Sequence, residues 1–203
     1  MPDVRDTAEE VEIRSADDLY AWLSRHHGRA GGVWLVHHRK ASPHYVPMRD
    51  LTAACLAWGW IDSLPRARDA LRTMHWIAPR VPGSAWSAVN RDLVAGLEAA
   101  GRMAPPGRAA VDAAKADGSW TALDAVERLE VPPDLSAAFD AHPGSRPAWD
   151  GFPPSVRRGI LEWISAAKRP ATRAARIDRT ASDAAEGRRA NQWRDRSQPG
   201  PPR

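Results

Sequence analysis

The sequence predicts an α+β protein, with a small N-terminal sheet and helices followed by a mostly helical C-terminal part. Three observations carry that expectation. Stretches rich in β-branched and aromatic residues, "GVWLVHHRK", "WIDSL" and "ALRTMHWIAPR", fall within the first eighty residues. From Ser84 onward, apolar residues instead recur every three or four positions. Pro and Gly bound the helical stretches where a helix would start or stop.

Taken in order, residues 1–14 read as a flexible N-terminus. "SADDLYAWLSRHHG" follows, with Ser15 as N-cap, Gly28 as stop and an apolar stripe of Leu19, Trp22 and Leu23. "GVWLVHHRK" is the first strand. "VPMRDLTAACLAWGW" is a helix with Leu51, Ala54, Cys55 and Trp58 on one face. "WIDSL" and "ALRTMHWIAPR" are two further strands joined by a turn containing Arg and Pro, which completes an α+β part over 15–83.

The helical part spans 84–188. "SAWSAVNRDLVAGLEAAG" places Trp86, Val89, Leu93, Leu97 and Ala100 on one side, and Gly101 ends it. "PPGRAAVDAAKADG" is shorter, and residues 118–153 hold two short helices between Pro and Gly breaks. "PPSVRRGILEWISAAK" is amphipathic, with Val156, Ile160, Trp163, Ile164 and Ala167 inward. Pro170 breaks it, and a last helix runs to about Gly187. Residues 189–203, polar and Pro-rich, read as a disordered tail.

The chain has 203 residues, 43% of them hydrophobic and 27% charged, the composition of an ordinary soluble protein. No apolar run is long enough for a membrane span, and the acidic opening "MPDVRDTAEEVEIR" lacks the core of a signal peptide. With a single cysteine, Cys55, no intrachain disulfide forms, and the expected location is the cytoplasm. The formal charge of +4 is uneven: from Pro154 on, twelve Arg and Lys face five Asp and Glu, a net +7 that leaves the rest at −3. A basic C-terminal part invites an anionic partner, or is a solvated face. Arg supplies 26 of the 29 basic residues, a bias that reflects a GC-rich genome more than a function.

Three stretches together resemble one family: "GWID" (Gly59–Asp62), "PRVPGSAWSAVN" (Pro79–Asn90) with "GRM" after it (Gly101–Met103), and "EWISAAKRPATRAARI" (Glu162–Ile177). Their order is that of the YdeI/OmpD-associated, or bacteriocin-protection, family, and the resemblance runs from about Asp17 to Arg188. It implies protection against bacteriocins and cationic antimicrobial peptides, with a link by name to an outer-membrane porin, and it brings no assigned reaction. The chain departs from the family at Ala57, where a Cys is usual, and at Val81, where a second Arg is common, so no mechanism needing that thiol or paired Arg carries over.

Read for chemistry, "PRVPGSAWSAVN" offers an anion site. Gly83 turns the chain, and Ser84 as N-cap accepts from the Ser87 N–H. The first helical N–H groups then point outward beside Arg80, a bidentate clamp. Ser87 and Asn90 share a helix face next to Trp86, so Arg80, Ser84, Trp86, Ser87 and Asn90 converge on one ligand, with Trp60 nearby. The competing reading is structural: Ser84 only caps, and Arg80 pairs with Asp62. Asp62 is the one candidate general base, though neither a second acid nor a nucleophile lies near it in sequence. In the last helix Arg169, Thr172, Arg173 and Arg176 share a side with Lys168 close by, a basic face for phosphate, carboxylate or an acidic partner.

The remaining signals are weak. Adjacent histidines, His26-His27 and His37-His38, point to opposite faces of a strand, and no metal-ligand spacing occurs, so no metal is expected. Nucleotide-binding glycine motifs and a hydrolase elbow are absent, and no cofactor is expected. Cys55 reads as a small core hydrophobe. The leading expectation is therefore a protection protein binding a small anionic or polar ligand, with a protein partner also open. An enzyme using Asp62, Arg80 and Asn90 in a Trp-lined pocket is the alternative. Nucleic-acid binding through the basic C-terminal helix ranks last. Trp163 and Ile164 should be buried, and Arg80 should touch Asp62 or the Arg173 helix.

Overall fold

The computed structural model describes residues 4–191 and divides the chain into two compact units, one ending at Leu123 and one beginning at Asp124. The division falls well past the 83/84 boundary expected from the sequence. Of the tail expected at 189–203, residues 192–203 lie outside the described residues, and Ala190 is buried.

In the first unit a 3-10 turn at Val4–Asp6 precedes β1 (Glu10–Glu12), α1 (Ala16–His26), β2 (Val33–His38), α2 (Met48–Ala57), β3 (Trp60–Ala67) and β4 (Arg72–Pro79). Two helices close it, α3 (Ala88–Ala99) and α4 (Pro105–Asp117). The sheet order is β1-β2-β4-β3, with β1 parallel to β2 and the other pairs antiparallel. Strand β1 was not expected: residues 10–12 belonged to the flexible N-terminus of the sequence reading. Three residues are too few to show a period, and it is pairing with β2 that makes them a strand.

Alternation sorts the sheet into two faces. Val33, Leu35 and Ile77 point with Val11 and Trp60 toward α1 and α2, meeting Leu19, Leu23, Leu51 and Cys55 in the main core. Each such side chain contributes about 1.5–3 kcal/mol on burial. Trp34, Val36 and Met74 point the other way, and Ala8 and Trp76 pack on them. Ser15 caps α1 as expected, accepting from the Asp18 N–H at 3.0 Å. Pro65 and Arg66, expected in the turn, lie inside β3 instead; β3 is an edge strand with a register shift between Asp62 and Pro65, where a residue without an N–H is tolerated. Asp69 organises the turn itself, its Oδ1 accepting from the backbone N–H groups of Leu71 and Arg72.

A second core joins Leu56, Trp86, Leu93, Val94, Met103 and Val111. It requires α4 to run against the end of α2: a Cβ placed on Gly107 would lie 2.3 Å from the Ala57 carbonyl oxygen.

In the second unit, α5 (Asp124–Glu127), α6 (Pro133–Ala141) and α7 (Ser145–Asp150) precede α8 (Pro154–Ser165) and α9 (Pro170–Ala185). Three short helices thus occupy 118–153 where two were expected. Ile160, Leu161 and Ile164 are buried, as are Leu135, Phe139 and Trp149. Trp163 is not: it is half-buried, its ring 4.9 Å beneath the Arg176 guanidinium and its carbonyl accepting from Arg176. The apolar stripe of α8 continues to Trp163, but the ring lies at its edge, where a cation covers it.

Candidate functional site

The stretch singled out in the sequence folds into a tight corner built around Arg80. Its backbone N–H donates to the Gly59 carbonyl, which anchors the end of β4 beside the "GWID" turn. The guanidinium then folds forward, donating to the carbonyls of Ser84 (3.3 Å) and Ala85 (3.0 Å) and to Ser84 Oγ (3.3 Å). Its carbon lies 3.8 Å from the centroid of Trp86, which is 1% exposed. Trp120 packs 5.0 Å beyond Trp86, with the Lys115 ammonium on its outer face at 5.3 Å. Burial lowers the Arg80 pKa to about 10, still far above neutrality, so the group stays charged.

This geometry corrects the expected helix start. Ser84 is not the N-cap; Ser87 is, its Oγ accepting from the Asn90 N–H at 3.3 Å, and α3 begins at Ala88. The reason is competition for carbonyls. The Ser84 and Ala85 carbonyls that a longer helix would use are taken by Arg80, and the Trp86 N–H donates to Ser119. Trp86 consequently belongs to the loop, not to the helix face.

Beneath the corner is a cavity of about 70 Å³ lined by Arg80, Ser84, Trp86, Ala114, Asp117 and Ser119. Among the described residues no carboxylate forms an ion pair with Arg80, while the Asp117 carboxylate accepts from the Ser119 N–H at 2.8 Å. Ser87 and Asn90 are half-buried at the start of α3.

Asp62 does not meet Arg80. Its Oδ1 accepts from Thr52 Oγ1 on α2 at 2.8 Å, on the helix-covered face of the sheet. Trp60 is buried in the main core, its Nε1 donating to the His27 carbonyl at 3.0 Å. The expected grouping of Asp62, Arg80 and Asn90 in one Trp-lined pocket is therefore not formed. Arg173 and Arg80 lie in different units, each engaged within its own. Arg173 forms a bidentate pair with Asp134 on α6 at 2.7 and 3.0 Å, which holds the Asp134 carboxyl below its usual range. Arg176 turns to Trp163 as described, whereas Lys168 and Arg169 are exposed.

The structure adds a group that sequence reading missed. His37 Nε2 lies 2.8 Å from His75 Nδ1 across β2 and β4, with rings stacked at 5.0 Å. His37 is 5% exposed, and its Nδ1 has no hydrogen-bond partner among the described residues. Burial, with His75 adjacent, lowers its pKa to about 4; His75 is lowered too by burial, opposed by the nearby Asp62 charge. Burial also pushes the Cys55 thiol up, reinforced by Asp62, so that cysteine stays protonated and unreactive. The neighbours His37 and His38 do face opposite ways; the partner came from another strand. Among the described residues no group of three metal-ligating side chains is assembled.

Comparison with known families divides the chain much as the fold does. Residues 128–187, within the second unit, match the family described as "Bacteriocin-protection, YdeI or OmpD-Associated". Residues 11–110 match a different description, "Domain of unknown function (DUF8412)". Of the three stretches behind the resemblance, only "EWISAAKRPATRAARI" therefore lies within the bacteriocin-protection match; "GWID" and "PRVPGSAWSAVN" lie in the other. No curated protein and no solved structure matches the chain.

Proposed function

We propose that this chain is a cytoplasmic protection protein, against bacteriocins or cationic antimicrobial peptides, that works by holding a small anionic or polar ligand. The family match over 128–187 supports the biological role. The observation that carries the ligand reading is the half-buried, charged Arg80 without a carboxylate partner among the described residues, at the wall of a small cavity. A buried cation favours a counter-charge, and its fork suits a carboxylate or phosphate. The volume of about 70 Å³ restricts the bound group to a head the size of such an anion. The enzyme alternative is disfavoured because Asp62, its candidate base, accepts from Thr52 and not from Arg80.

The test is thermal unfolding with and without inorganic phosphate, acetate or succinate, for wild type and Arg80→Met. A rise in Tm for wild type that is missing in the variant supports the reading, since a ligand at about a hundred times its Kd adds about 2.7 kcal/mol. Equal shifts in both proteins, or none, sink it. Cells expressing either form, challenged with a cationic peptide, test the protective role separately.

A further inference from the structure

The sheet of the first unit has one face covered by helices and one without. The uncovered face carries Trp34, Val36 and His38 on β2, Met74, Trp76 and Arg72 on β4, and Arg66 on β3, because these positions share a parity in the register. Trp34 and Trp76 meet edge to face at 5.4 Å, and the Arg66 guanidinium lies 4.7 Å over Trp34. Arg68 borders the same patch through its pair with Glu10. Three arginines around two tryptophans are thus gathered on a sheet surface.

What lies on that surface is the chain's own acidic N-terminal segment. Asp6 pairs with Arg66 at 3.1 Å, Glu9 with Arg29 at 2.7 Å, Glu10 with Arg68 at 2.9 Å and Glu12 with Arg72 at 2.6 Å. Ala8 packs on the Trp34–Met74 cluster, and the Arg5 carbonyl accepts from Trp34 Nε1 at 2.7 Å. The segment supplies a negative charge to each arginine and a cover to the aromatic rings. Its two halves are held differently. Glu10–Glu12 is tied by the β1–β2 ladder and by Val11 in the main core. Residues 4–9 rest on exposed ion pairs worth little individually, on Ala8, and on two bonds from Trp34, its Nε1 donating to the Arg5 carbonyl and its backbone N–H to the Glu9 carbonyl.

We propose that residues 4–9 are an intramolecular stand-in for a single-stranded nucleic acid, which binds the Trp34–Trp76–Arg66 face when this strap lifts. A phosphate replaces the carboxylate of Asp6 on Arg66, and bases stack on the uncovered indoles, the pairing of basic groove and aromatic platform that such ligands use. The strap makes the bare protein a weak binder by occupying its own site. This surface uses none of the residues of the Arg80 corner and none of the C-terminal arginines.

The experiment is fluorescence anisotropy of a labelled oligo(dT) of about ten nucleotides, at low salt, with the full chain. Wild type is compared with Asp6→Asn/Glu9→Gln, two exposed changes outside β1, with circular dichroism to show that both fold. The double variant is expected to bind about tenfold more tightly, with affinity falling steeply as salt rises and with preference over duplex DNA of the same length. Adding Arg66→Gln should abolish the gain, whereas adding Arg169→Gln should leave it. No gain in the double variant, a gain that survives Arg66→Gln, or equal binding of poly-glutamate and oligo(dT) would overturn the proposal, the last in favour of an acidic protein partner. If the double variant fails to fold, Glu9→Gln alone carries the same comparison with a smaller expected gain.

Discussion

The guanidinium of Arg80 is stacked on Trp86 and at the same time binds the carbonyls of Ser84 and Ala85, so one side chain closes the loop between β4 and α3. Replacing it with Met keeps the apolar stem and removes the fork. The expected loss is about 2–3 kcal/mol in urea unfolding, from hydrogen bonds to a charged group and a partly desolvated cation–π contact. Arg80→Lys should recover less than half of that, because an ammonium cannot reach both carbonyls. A loss within about 0.5 kcal/mol for Met would mean the loop is held by other contacts.

The His37–His75 pair predicts a specific pH dependence. His37 is held neutral in the fold, with a pKa of about 4 against an ordinary 6.5. For a base whose pKa is lowered by folding, the stabilisation is complete above the unfolded value. It declines as pH falls from 6.5 and is exhausted near 4, a loss of about 3 kcal/mol over that window. Urea midpoints measured at several pH values should show this decline, and His37→Gln should flatten it. An unchanged slope in that variant would assign the acid sensitivity to other groups.

Two glycine-to-alanine changes should act in opposite directions. Gly107→Ala drives a methyl group into the Ala57 carbonyl, forces α4 away from α2 and should lower stability by about 3 kcal/mol or more. Gly96, inside α3, has nothing within 4 Å of the place a methyl group would take, and its change to Ala should add about 0.5–1 kcal/mol. Differential scanning calorimetry of the two variants separates these outcomes by sign.

The Asp134–Arg173 pair is well aligned but largely solvent-exposed. Asp134→Asn should therefore cost under about 1 kcal/mol, and less in high salt. Because Arg173 lowers the Asp134 pKa, the contribution is present above the ordinary carboxylate range and fades as pH falls below it. A cost of several kcal/mol at neutral pH would show the pair to be structurally central to α6 and α9.

Much of this architecture was legible in residue order. The Ser15 cap, the strand "VWLVHH", the apolar stripe of α8 and the break at Pro170 all follow from local rules, because each depends on neighbours within a turn or two. The start of α3 was misread because its competitor for the Ser84 and Ala85 carbonyls is a side chain four and five residues earlier, not a capping residue. The His37–His75 contact depends on the β2–β4 register, which spans nearly forty positions and leaves no local trace. Asp62 was placed beside Arg80 on proximity in motif; the helix-facing parity of β3 instead turned it to Thr52.

Strand order has a consequence for how the molecule assembles. The β3–β4 hairpin can close locally as soon as residue 79 is made, but β2 must wait for it, and β1 can only dock once β2 is in place. β1, made before the other three strands, is therefore the last of the four to join the sheet. Changes in the hairpin should slow folding, whereas changes in the N-terminal strand should leave that rate alone and hasten unfolding.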